Sequence, residues 1–171
     1  KIANAMGGEI CLKSEPGVGS EFKFTFPIKV HNDQLIDAEE DTTPSIVPFL
    51  LGKKILIVED DVVGMEMIVN MLLPTQCEIV KAINGYEGAR IIVEDPTIDL
   101  VLMDLKMPVM DGFEATKFIR QELPQLPIIA LTAYSMQKDK AKALSVGCND
   151  IVTKPINKVM LLKKIEGLLM K

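Results

Sequence analysis

Residues 101–112, VLMDLKMPVMDG, put an aspartate, Asp104, at the end of an apolar run and follow it with Lys106, Pro108 and an Asp-Gly pair. A short run that is apolar throughout reads as a strand buried on both faces, as a parallel sheet requires. Asp111 and Gly112 then read as a turn and a helix start. A carboxylate at the point where such a strand leaves the core needs a reason, because burying charge is costly unless it is paired.

Working outward, the same pattern recurs. Strand candidates are KILIVE (54–59), CEIVKAI (77–83), DLVLMD (99–104), PIIALT (127–132) and DIVTK (150–154). Stretches with helical spacing follow them at 61–73, 85–95, 111–123, 135–147 and 157–171. Five strands, each followed by a helix, predict right-handed crossovers and a doubly wound α/β fold with a five-stranded parallel sheet.

Upstream, residues 8–30 hold two short runs around a Pro-Gly-x-Gly turn, and Phe22, Phe24 and Phe26 alternate with Glu21, Lys23 and Thr25. That period of two predicts a β-hairpin with one apolar face. An isolated hairpin is marginal in water, so it is expected to pack on the domain downstream or to form a homodimer with a second copy. Residues 31–51 carry an acidic cluster and two prolines and read as a solvated linker, whose last apolar residues dock on the α/β domain. The organisation is thus hairpin 1–30, linker 31–51 and domain 52–171.

Of the 171 residues 48% are hydrophobic and 25% charged, enough for a proper core. A net charge of -5 with dispersed basic residues argues against nucleic acid as a direct partner. Cys11, Cys77 and Cys148 are far apart with no CxxC pair and read as reduced thiols of a cytoplasmic protein, Cys148 as a small buried residue. No apolar run approaches the roughly 18–20 residues that span a bilayer, and no signal-peptide pattern opens the sequence. It begins without Met in a helix-like stretch and is expected to be a piece of something longer.

Open parallel sheets bind ligands beyond the carboxyl ends of their strands. The residues there are Glu59 and Asp60, Asp104, Thr132 and Lys154. Clustered carboxylates raise one another's pKa unless a cation offsets them, and oxygen ligands in a wet site favour Mg²⁺. Lys154 adds a charge for a phosphoryl oxygen, so Asp104 is placed to attack phosphorus and form an acyl phosphate. Thr132 would donate to that phosphate and draw the loop after the fourth strand inward. Each residue also has a plain structural reading: Asp104 and Thr132 as turn caps, Lys154 as a surface lysine. Their joint placement favours the chemical one. Asp61 is read as a helix N-cap rather than a ligand. His31, beside Asn32 and Asp33, is read as a solvated linker residue, and most of the ten methionines as core filler.

The segments ILIVEDD (55–61), LMDLKMPVMDG (102–112), ALTA (130–133) and TKPI (153–156) resemble the receiver domain of two-component response regulators, in order and spacing over residues 52–171. The resemblance implies a flavodoxin-like strand order 2-1-3-4-5 and makes Asp104 the phosphoacceptor. Asp60 becomes a direct Mg²⁺ ligand, Glu59 a partner acting through water, and the Lys106 carbonyl a further ligand. Thr132 becomes the switch hydroxyl, and Lys154 the family's lysine, usually followed by a cis bond to proline. One departure is Ile151, where the family usually has an aromatic switch residue. Residues 6–28, MGGEICLKSEPGVGSEFKFTFPI, resemble the last strands of a histidine kinase ATP-binding domain. Together they imply the C-terminal end of a hybrid sensor histidine kinase in a phosphorelay, a type of sensor that is often anchored in the cell membrane. The donor would be a phosphohistidine on its own kinase core or on a histidine phosphotransfer domain. Lacking the kinase's ATP site and phosphodonor histidine, this stretch is expected to do no more than autocatalytic phosphorylation and dephosphorylation of its aspartate. Two alternatives stand beside this: a receiver-like module that docks without phosphorylation, and a haloacid dehalogenase-type phosphatase. The latter carries its nucleophile on the first strand with a second aspartate two residues on, whereas Lys106 stands at that distance from Asp104.

Overall fold

A computed structural model of the chain describes residues 9–15, 17, 19–25, 50–133 and 137–170. The chain divides into two units, Lys1–Thr43 and Pro44–Lys171.

In the larger unit the strands are β3 (Lys54–Val58), β4 (Glu78–Ala82), β5 (Leu100–Asp104), β6 (Ile128–Thr132) and β7 (Asp150–Thr153). The helices are α1 (Val62–Leu72), α2 (Gly85–Glu94), α3 (Gly112–Glu122), α4 (Gln137–Ser145) and α5 (Lys158–Leu169). All five strands are parallel, in the order β4-β3-β5-β6-β7, as the sequence led us to expect. The element ends agree with the sequence reading to within about two residues, the usual uncertainty of helix and strand termini.

Period two on the strands divides the core into two layers. Leu56, Val58, Val101, Met103, Ile128 and Ala130 face Ile92 of α2, Ala115 and Ile119 of α3 and Ala143 of α4. Ile55, Ile57, Leu100, Leu102, Ile129 and Leu131 face Ile68 and Leu72 of α1 and Leu161 and Ile165 of α5. β5 and β6, central in the sheet, are buried at every residue, whereas the edge strand β4 is only partly covered. Leu50 is buried and its N–H donates to the Thr75 carbonyl at 2.8 Å, so this residue of the expected linker does dock on the unit, while Leu51 beside it is exposed.

Four helices start on a short polar cap. Asp61, Asn84, Asp111 and Asn157 accept from the backbone N–H groups of Gly64, Glu87, Glu114 and Met160 at 2.8–3.0 Å. This bears out the reading of Asp61 as a cap. The methionine expectation holds with exceptions. Met65, Met103 and Met107 are buried and Met71 and Met110 pack against the core, so most of the described methionines do fill it, while Met67, Met160 and Met170 are exposed on α1 and at the ends of α5.

In the smaller unit, β1 (Glu9–Glu15) and β2 (Gly19–Thr25) form an antiparallel hairpin in which Leu12 pairs with Phe22. Gly17 and Gly19 have φ of +82° and +134°, the region that glycine tolerates best. Leu12 and Phe22 are 56% and 62% exposed, so this part of the apolar face stands open. Phe26, His31 and the expected linker up to residue 49 lie outside the described residues.

At the amino end of the sheet, away from the strand ends singled out above, charges are paired. Lys54 Nζ contacts Asp95 at 2.9 Å and Glu78 at 3.2 Å, and Lys53 contacts Asp99 at 2.9 Å. Hydrogen bonds from the Thr97 hydroxyl, then from Lys54, hold the Asp95 carboxyl down at about 2. A carboxyl depressed in the folded state stabilises above its unfolded pKa and loses that contribution as pH falls through the folded value. Thermal unfolding of Asp95→Asn should therefore show a lower midpoint than the unaltered protein at pH 6 and nearly the same midpoint at pH 2.

Candidate functional site

The carboxyl ends of β3 and β5, adjacent in the sheet, set the site. Beyond β3, the Glu59 N–H extends the ladder to the Ala82 carbonyl at 3.0 Å, and beyond β5 the Leu105 N–H reaches the Leu131 carbonyl at 3.1 Å. These bonds hold the backbone firm where the acidic side chains leave it. Glu59, Asp60 and Asp104 each offer a carboxylate oxygen, and the three lie within 4.8 Å of one another. Glu59 is 1% and Asp104 6% exposed, while Asp60 faces solvent.

Lys154 comes from the far side of the sheet, just after β7. Its ammonium donates to both Glu59 oxygens, at 2.9 and 2.7 Å, and to Asp104 Oδ2 at 2.5 Å. The Lys154 N–H donates to the Thr132 carbonyl at 2.7 Å, which ties the residue to β6, and the Lys154–Pro155 bond is cis. The other Asp104 oxygen accepts the Lys106 N–H at 2.9 Å. The structure thus brings together Glu59, Asp60, Asp104 and Lys154, with Lys106 alongside. Thr132 ends the neighbouring strand and is buried. Ile151 is half-buried and packs against the core layer of α2, α3 and α4.

Burial pushes the Glu59 carboxyl above its ordinary value, with Asp104 adding to the rise and Lys154 opposing it. For Lys154, burial works against the charge. Hydrogen bonds to Asp104 and Glu59 outweigh it and hold the ammonium above its ordinary 10.5. Three hard oxygen donors with one solvent-facing member suit Mg²⁺, which binds through one or two carboxylates and keeps several waters.

Two glycines make the approach possible. A Cβ on Gly112 would lie 2.1 Å from the Asp104 carbonyl oxygen, and one on Gly85 2.6 Å from the Met110 carbonyl oxygen. The Asp-Gly pair was legible as a turn. That Gly112 must let α3 begin against the end of β5 was not. Sequence reasoning also passed over Gly64, whose Cα faces the Glu59 carboxylate. The signal available was a glycine in the first turn of an otherwise apolar helix.

Residues 55–166 match the profile of the response regulator receiver domain family. The chain belongs to this family. The receiver domain is 42% identical over 108 residues to hybrid signal transduction histidine kinase G of Dictyostelium discoideum, covering 60% of this chain and 3% of that protein. Sensor protein EvgS of Escherichia coli K12 is 30% identical over 156 residues, covering 91% of this chain and 13% of that protein. The chain therefore spans only a small part of the length of these relatives. Among solved structures, the receiver domain of Saccharomyces cerevisiae Ssk1, crystallised with the histidine phosphotransfer protein Ypd1, is 38% identical with a TM-score of 0.65. The match covers 69% of this chain and 89% of that one. The receiver domain of sensor histidine kinase PA1611 from Pseudomonas aeruginosa PAO1, with magnesium coordinated in its active site cleft, is 33% identical with a TM-score of 0.66, covering 70% and 99%. Membership of the receiver family sets the dehalogenase-type reading aside.

Removing the lysine leaves two buried carboxylates facing each other without a cation. Breaking a buried pair costs 3–5 kcal/mol, and the partial exposure of Lys154 brings the expected loss for Lys154→Met in metal-free buffer at pH 8 to about 2–3 kcal/mol. Because a carboxyl raised in the folded state destabilises progressively as pH climbs, the loss should shrink toward pH 5. Denaturant titrations at the two pH values check this.

Proposed function

We propose that residues 52–171 are the phosphoacceptor receiver of a hybrid sensor histidine kinase, and that Asp104 takes a phosphoryl group from a phosphohistidine in a Mg²⁺-dependent reaction. The observation that carries this is the meeting of Glu59, Asp60 and Asp104 within 4.8 Å with Lys154 spanning Glu59 and Asp104. Asp60, Asp104 and the Lys106 carbonyl would hold Mg²⁺, with Glu59 acting at longer range. The ion would supply charge neutralisation for the transferring oxygens. An Asp104 oxygen attacks phosphorus, the P–N bond to the donor imidazole breaks, and its electron pair returns to nitrogen, which leaves as neutral imidazole once protonated. Lys154 bears its positive charge against the same oxygens. The Thr132 hydroxyl, at the end of the adjacent strand, then donates to the new phosphate. The loop that this would draw inward, residues 133–136, lies mostly outside the described residues.

We read residues 1–30 as the last strands of the kinase's ATP-binding domain and 31–51 as the linker. In this reading the module works in the cytoplasm, and a second copy of the chain covers the open side of Leu12 and Phe22 in a homodimer. Among the described residues no helix is long and apolar enough to cross a membrane.

The donor's approach is favoured on α1. Val62 and Val63 are each 75% exposed directly after the acidic cluster and, with Met67 and Lys158, line a shallow groove. A histidine phosphotransfer protein is the occupant we assign, since such a protein sits in the crystal with the Ssk1 receiver.

Intact mass after incubation with Mg²⁺ and acetyl phosphate should rise by one phosphoryl group, and should not rise for Asp104→Asn or with Mg²⁺ chelated. No gain under any condition would favour a docking module instead. Val63→Asp should slow transfer from a phosphorylated histidine phosphotransfer protein by about tenfold, the effect of losing about 1.4 kcal/mol at an interface, while acetyl phosphate labelling is unchanged.

A further inference from the structure

Gly64 is the third residue of α1, and its N–H donates to the capping Asp61 carboxylate at 2.8 Å. A Cβ at this position would stand 3.0 Å from both Cδ and Oε1 of Glu59 and 3.3 Å from Asp61 Oδ2. The same Glu59 carboxylate is also gripped by the Lys154 ammonium at 2.9 and 2.7 Å. Glu59 is 1% exposed, so little space is left for it to move into. A glutamate reaches one methylene further than an aspartate, and here the extra length is accommodated over the bare Cα of Gly64.

We infer that Gly64 is a positioning residue for the metal site: the missing side chain lets a glutamate at position 59 hold its carboxylate back against α1, clear of the space between Asp60 and Asp104. This rests on the reading of that space as the Mg²⁺ site. A methyl group at 64 would press on a carboxylate that is already held by Lys154, and so displace it within the site. The effect belongs to the pair of residues 59 and 64, because an aspartate at 59 would not reach the methyl. Nor does it come from backbone strain, since Gly64 is helical and alanine is the better helix former.

The test is a double-mutant cycle read by Mg²⁺ titration calorimetry on the full chain, with thermal unfolding in chelator as the control. Gly64→Ala should weaken Mg²⁺ binding by about tenfold, the usual size of an effect exerted through a ligand's supporting neighbour, while leaving the metal-free unfolding midpoint unchanged or higher. In a Glu59→Asp background the same Gly64→Ala change should alter affinity by less than about twofold, the mark of a coupled pair. Unchanged affinity in Gly64→Ala, an equal loss in both backgrounds, or a lowered metal-free midpoint would each overturn the inference alone. No Mg²⁺ binding by the unaltered protein would overturn it together with the reading of the site.

Discussion

The ammonium of Lys154 is the interaction on which the carboxyl edge of the sheet depends. Glu59 and Asp104 are both nearly excluded from solvent, and two such carboxylates side by side are unfavourable without a cation between them. Lys154 meets both, and it reaches them from β7, at the far edge of the sheet from β4. The lysine therefore links the first strand of the domain to its last. The same arrangement leaves the site chemically poised, since the groups that repel one another are those that attract a divalent cation.

The two ends of the sheet are built in contrasting ways. At the amino end, two lysines, Lys53 and Lys54, meet three carboxylates, Asp95, Asp99 and Glu78, in surface pairs that contribute little each. At the carboxyl end, three carboxylates lie together and one lysine pairs with two of them, Glu59 and Asp104. The acidic excess is concentrated where the loops are short and the ladders from Glu59 and Leu105 keep the backbone firm. Stability is drawn from the two apolar layers, and the clustered carboxylates occupy the edge that those layers hold in place.

Much of this was legible in the sequence because it is local. Apolar strands of about five residues, helical spacing between them and a polar residue at each helix start are patterns written in consecutive positions. They led to the parallel α/β fold, the helix starts at Asp61 and Asp111, and the choice of Glu59, Asp60, Asp104 and Lys154, while the strand order came only from the resemblance to the receiver family. The methionines were less legible. Position in an apolar run does not distinguish Met65, which faces the sheet, from Met67, two residues along the same helix and pointing outward.

By itself the sequence determined which residue types stand at the strand ends and that the strands are parallel and buried, since periodicity and composition report each residue's own environment. Tertiary structure alone decided distance. It brought Lys154 within 2.5 Å of Asp104 across 50 residues of chain, required a glycine at 112 because a backbone carbonyl lies where a Cβ would be, and set Gly64 against Glu59. Those contacts arise from the order in which strands sit side by side and from the angle at which each helix leaves its strand. A one-dimensional pattern carries neither.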